Sequence, residues 1–111
     1  MDGQAVLDFV KRTIPPHVAA LLSQCNLTIS DLRRVIFHQA SAVALDWLDQ
    51  ALGVRADQSY RNLARVGNTV SASIPIALKD AMDDGSVRRG DTILLTGFGV
   101  GLSYASAVVT L

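Results

Sequence analysis

Cysteine is almost missing from this chain. Cys25 is its one copy, which excludes an internal disulfide and a multi-cysteine metal site. The stretch Leu21-Leu22-Ser23-Gln24-Cys25-Asn26-Leu27 reads as a helix end followed by a turn, with no adjacent cation to hold a thiolate. The expected role of Cys25 is therefore that of a small buried hydrophobe, not a nucleophile. An excess of charge of either sign is missing too. Ten basic residues balance ten acidic ones, so no basic field exists to attract nucleic acid or an anionic membrane surface. No apolar run reaches the ~18 residues of a membrane span, and Met1-Asp2-Gly3-Gln4 has neither the basic region nor the apolar core of a signal peptide. The expected location is the cytoplasm. His17 follows Pro15-Pro16 with no acidic or cysteine partner at ligand spacing, which assigns it a surface or capping role; neither a metal nor a cofactor is expected.

What the chain does have is apolar residues, 50% of the total against 18% charged, enough for one compact core. Ala5-Val6-Leu7, Phe9-Val10, Val18, Leu21 and Leu22 follow helical spacing, and Pro15-Pro16 in their midst predicts a break into two helical pieces. Val35-Ile36-Phe37 reads as a short buried strand. Ser41 can cap a helix through Leu45, Leu48 and Leu52 that Gly53 stops, and a further helix spans about Ser71 to Met82 before Asp84-Gly85. Trp47 is expected to anchor its helix by packing, with Asp46 and Asp49 on the solvated side. Thr92–Thr96 and Tyr104–Thr110 read as strands joined by a glycine-rich turn. The order is helix, strand, helix, loop, helix, strand, strand, an α/β arrangement.

Two short signatures carry the chemistry. Phe37-His38-Gln39-Ala40-Ser41 puts His38 at the carboxyl end of the first strand, where open α/β sheets place their ligands. In Gly67-Asn68-Thr69, Gly67 permits a tight turn, and Thr69 or Ser71 can cap the helix that follows, leaving the Asn68 amide free to point into a crevice. Two neutral donors able to handle a carbonyl suggest an acyl-transfer site. Taken alone, the residues fit better a hydrogen-bonded core histidine and an ordinary turn asparagine, since lone histidines and Gly-Asn turns are common. Phe98-Gly99-Val100-Gly101 is a poor phosphate loop, since it leads into a strand and lacks a Lys-Ser/Thr pair.

In order along the chain, Met1-Asp2-Gly3, His38-Gln39-Ala40, Gly67-Asn68-Thr69-Val70-Ser71-Ala72-Ser73-Ile74-Pro75 and Gly97-Phe98-Gly99-Val100-Gly101-Leu102-Ser103-Tyr104 resemble the C-terminal half of a β-ketoacyl-acyl-carrier-protein synthase III, a condensing enzyme of the thiolase superfamily. The resemblance implies that residues 1–111 are a thiolase-like half-domain with a mixed sheet flanked by helices. It also implies that the half bearing the nucleophilic cysteine is absent, and that Met1 is an internal methionine of the parent. The implied reaction is decarboxylative Claisen condensation of an acyl thioester, delivered as acyl-CoA, with malonyl-acyl carrier protein in fatty acid biosynthesis. His38 and Asn68 are the implied enolate donors, the backbone N–H of Val100 an oxyanion donor, and Ser41, Gly67, Phe98 and Gly99 the substrate-binding residues. The implied partners are the N-terminal half and, in the parent, a second copy.

The sequence departs from that pattern at three places. Ser41 stands where the family usually has an asparagine that touches the pantetheine arm, and as a helix cap it has an equally good structural reading. Val43 replaces an arginine that grips the acidic carrier, which weakens or redirects docking. Arg33, Arg34, Arg61 and Arg65 are available to compensate, although scattered arginines are more often solvated. The Val100 side chain replaces a small residue beside the acyl pocket. These features also fit an acyltransferase of a specialised, polyketide-type pathway, and a third reading is a non-catalytic partner subunit of a condensing enzyme. Retention of both His38 and Asn68 weighs against the third.

Overall fold

The computed structural model of the chain describes residues 3–38, 41–61, 73–99 and 103–111. Helix α1 spans Gly3–Gln24, a single 3₁₀ turn Ile29–Asp31, strand β1 Arg34–Phe37, helix α2 Ala42–Leu52, helix α3 Ser73–Asp83, strand β2 Thr92–Gly99 and strand β3 Ser103–Thr110. The element order agrees with the sequence pattern.

Contrary to the predicted break, α1 is one helix with Pro15 and Pro16 inside it. The lost N–H groups of the two prolines would have bonded to the carbonyls of Lys11 and Arg12, both exposed residues, where water can take their place. Tertiary packing supplies what the local rule omits: Val10, Ile14, Val18 and Leu22 form a fully buried stripe at four-residue spacing across the proline pair. The helix ends with Asn26 in the left-handed conformation at φ 57°. Leu27 N–H donates to the Leu22 carbonyl at 2.9 Å and Asn26 N–H to that of Ser23 at 3.1 Å, a Schellman end. Cys25 sits at the cap of this motif and is exposed, not buried as expected, because the turn folds Leu27 and not Cys25 onto the core.

Helix α2 begins and ends where the sequence indicates. The Ser41 hydroxyl accepts from Ala44 N–H at 3.2 Å, and Gly53, at φ 73°, supplies the left-handed turn that ends it. Trp47 packs against the core, with the Lys11 ammonium 5.6 Å above its ring.

β1 and β2 pair in parallel, Phe37 opposite Thr96, and β2 pairs antiparallel with β3 from Thr92↔Thr110 to Gly99↔Ser103. β2 thus runs past the expected Thr96, because Ala105, Tyr104 and Ser103 supply ladder partners for Gly97, Phe98 and Gly99; Phe98 and Gly99 belong to a strand instead of a turn. Alternation along the strands divides the core in two. Val35, Phe37, Leu94 and Phe98 meet α1 and α2 on one side, while Ile36 and Ile93 meet Ala77 and Ala81 of α3 on the other. The result is a mixed three-stranded sheet with helices on both faces, in the order β1-β2-β3.

Candidate active site

Three strand ends converge at one end of this sheet. β1 and β2, being parallel, both finish there, and β3 starts there opposite Gly99. His38 is the first residue past β1, and its backbone N–H donates to the Thr96 carbonyl at 2.8 Å, extending the parallel ladder by one bond. The buried Thr96 is itself held, its hydroxyl 2.9 Å from that of Ser106. The His38 backbone is therefore fixed by the sheet rather than by a loop.

The imidazole is half-buried and meets the Phe98 ring edge-on, with centroids 5.2 Å apart and planes at 75°. Phe98 is itself buried in the core. Desolvation lowers the His38 pKa below its ordinary value, because imidazolium loses hydration that an aromatic wall does not replace. A neutral imidazole at this position can donate one hydrogen bond to a developing oxyanion without giving up a proton.

Ser41, at the N-cap of α2, is exposed, and its hydroxyl is engaged by Ala44. Gly99 closes β2 at the end of the sheet that carries His38. Asn68, Gly67 and Val100 lie outside the described residues, as do Arg65 and the two candidate caps Thr69 and Ser71. Among the described residues no group of three His, Cys, Asp or Glu side chains is placed to hold a metal ion, and no helix is long and apolar enough to cross a membrane.

Several side chains have surroundings that the sequence did not predict. His17 is neither a surface nor a capping residue: its ring packs edge-on against Tyr104 of β3, centroids 4.7 Å apart, and its buried Nε2 has no hydrogen-bond partner among the described residues. Asp46 and Asp49 are not a merely solvated face, since both hold Arg61, at 2.7 and 2.8 Å. Arg34 donates to the Asp57 carbonyl. Gln58 is buried and bonds three ways: its Nε2 donates to the Ile29 and Leu32 carbonyls at 2.7 and 2.9 Å, and its Oε1 accepts from Arg55 N–H at 3.0 Å. No periodicity marks such a residue.

Fold and site geometry define a thiolase-like half-domain with a desolvated histidine at the carboxyl end of a parallel strand. The model of the family 3-oxoacyl-[acyl-carrier-protein (ACP)] synthase III C terminal matches residues 22–111. A β-ketoacyl-[acyl-carrier-protein] synthase III of Clostridium perfringens is 34% identical over all of the chain and 34% of its own length, and one of Synechocystis is 38% identical over 98% of the chain and 33% of its own length. The crystal structure of the Thermus thermophilus β-ketoacyl-[acyl carrier protein] synthase III superposes with a TM-score of 0.93 at 39% identity, covering 100% of this chain and 35% of that one. The priming β-ketosynthase of the R1128 polyketide biosynthetic pathway superposes with a TM-score of 0.94 at 36% identity, covering 100% and 34%. The chain belongs to the 3-oxoacyl-[acyl-carrier-protein] synthase III C-terminal family. It spans about a third of the length of the curated relatives it matches.

Proposed function

We propose that this chain supplies the decarboxylation half of a condensing site in a β-ketoacyl-acyl-carrier-protein synthase III of fatty acid biosynthesis, whose other half carries the nucleophilic cysteine. The observation that carries the reading is His38, fixed by the sheet through Thr96 and kept neutral by its desolvated seat against Phe98. An acyl group enters as acyl-CoA and passes to the cysteine thiolate, which forms the new thioester as the bond to coenzyme A breaks and free coenzyme A leaves. Malonyl-acyl carrier protein then loses carbon dioxide, and the electron pair of the broken C–C bond passes into an enolate whose oxygen takes the charge. Neutral His38 and the Asn68 amide each donate a hydrogen bond to that oxygen. The enolate carbon attacks the acyl thioester, a new C–C bond forms, and the cysteine thiolate departs. The Val100 N–H serves the oxyanion of that second step. Ser41, Gly67, Phe98 and Gly99 line the approach of the substrate. The parent works as a homodimer in the cytoplasm.

A second reading, an acyltransferase that primes a polyketide-type pathway, is favoured by Val43. Its side chain is 67% exposed on α2, an apolar contact where an acidic carrier calls for a cation. In the full-length protein, malonyl-thioester decarboxylation measured apart from cysteine acylation tests the role of His38 and Asn68. A comparison of acyl carrier proteins from fatty acid and polyketide systems as malonyl donors separates the two readings.

A further inference from the structure

Strand β2 outruns its parallel neighbour. Its last pairing with β1 sets Phe37 opposite Thr96, and the His38 N–H then closes on the Thr96 carbonyl. Gly97, Phe98 and Gly99 continue past that point with Ala105, Tyr104 and Ser103 of β3 as their ladder partners. Among the described residues, therefore, β3 is what holds the backbone under Phe98, and with it the ring that meets the His38 imidazole.

Two contacts hold β3 in its turn. One is the Thr96–Ser106 hydroxyl bond of 2.9 Å, one ladder pair before the overhang begins. The other is Tyr104 itself. Residues directly opposite in an antiparallel ladder point to one face of the sheet, so Tyr104 lies on the α1 side with Phe98. There its ring meets two rings of α1: Phe9, centroids 5.8 Å apart and planes at 55°, and His17, centroids 4.7 Å apart and planes at 76°. Phe9 and His17 stand about two helical turns apart, and both close on the one tyrosine ring. Tyr104 keeps 43% of its exposure, so its place owes more to these contacts than to burial in the core. The His17 Nε2 is buried with no hydrogen-bond partner among the described residues, a polar cost that packing against Tyr104 offsets.

We propose that Tyr104 is a positioning residue: clamped by Phe9 and His17, it fastens the overhanging end of β2 to α1 and so sets the Phe98 ring against the His38 imidazole. The inference rests on the condensing role proposed above and adds to it the side chain through which α1 acts on the orientation of His38. Orientation matters for a donor, because a hydrogen bond to a developing oxyanion weakens steeply as its angle departs from linear.

The test uses the full-length enzyme, with malonyl-thioester decarboxylation and cysteine acylation followed separately. Tyr104→Leu removes the clamp and slows decarboxylation about three- to tenfold, less than loss of the donor because His38 is loosened and not removed. Acylation and the KM for the malonyl thioester stay within about twofold. Tyr104→Phe, which keeps the ring, recovers the loss. In a Phe98→Leu background, Tyr104→Leu causes no further fall, a coupling that a general structural defect would not produce. Parental decarboxylation in Tyr104→Leu, a parallel fall of both steps, a Tyr104→Phe as slow as Tyr104→Leu, or additive losses in the double variant overturns the proposal. If Tyr104→Leu does not fold, Phe9→Leu replaces it and removes one of the two clamping rings, with a smaller fall in decarboxylation as the supporting result and the parental rate as the contrary one. His38→Ala separates the two levels. A slow His38→Ala beside a fast Tyr104→Leu removes only the clamp, whereas a fast His38→Ala removes the donor role and the clamp with it.

Discussion

The His38 ring meets the Phe98 ring edge-on at 5.2 Å, so the residue after one parallel strand is walled by a side chain near the end of its neighbour. That contact places an ionisable group where its charged form is disfavoured. Replacing the wall with Phe98→Leu admits water and raises the His38 pKa toward the ordinary 6.5. Nuclear magnetic resonance titration of the His38 ring checks this, and an unchanged pKa would show that the desolvation comes from elsewhere. The larger truncation Phe98→Ala leaves a core void and costs about 3–5 kcal/mol of stability, readable as a lowered urea midpoint.

The same shift has a consequence for stability. With a folded-state pKa below that of the unfolded chain, His38 takes up its proton more readily when the protein is unfolded. Its contribution is intact above the unfolded value near 6.5, falls as the pH drops through that value, and levels off below the folded one. His38→Gln removes this component. Urea midpoints of the two proteins should therefore diverge between neutral and mildly acidic pH, with the parent losing more stability. Parallel curves would contradict the assignment.

Ser41 caps α2 through Ala44 N–H, and Ser41→Ala costs about 1 kcal/mol, whereas Ser41→Asn, an equally good cap, costs far less. Thermal unfolding of the two variants measures the difference. Equal losses would mean that the hydroxyl is not the cap that matters.

Cys25 is an exposed helix cap, with no Lys, Arg or His adjacent to it in the sequence. The 111 residues by themselves should form no acyl-enzyme, and in the full-length protein Cys25→Ser should condense at the parental rate. Mass spectrometry showing an acyl group on Cys25 that goes on to product would overturn this.

Much of the scaffold was legible because its signals are local. Val35-Ile36-Phe37, the Ser41 cap and the Gly53 stop each depend on residues within one turn or one strand, and all three stand as the sequence indicated. The misreadings share one cause, distance along the chain. Pro15-Pro16 breaks a helix by local rules, but the stripe from Val10 to Leu22 packs onto a sheet built from later residues and holds the helix together. Residue type alone points Cys25 to the core, whereas the left-handed Asn26 decides which neighbour turns inward. His17 meets Tyr104, and Asp49 meets Arg61, only after the sheet and the return past Gly53 have formed. At the site, His38 could be placed from its strand; its edge-on contact with Phe98 required knowing that β1 and β2 are parallel neighbours.

The central claim is that His38 and Asn68 stabilise an enolate, and decarboxylation of malonyl thioester by the full-length enzyme tests it most directly. His38→Ala or Asn68→Ala should slow that step by about 10²- to 10³-fold, the usual effect of losing one oxyanion donor, while cysteine acylation suffers less. If both variants decarboxylate at the parental rate, the two residues are structural and the proposed chemistry is wrong.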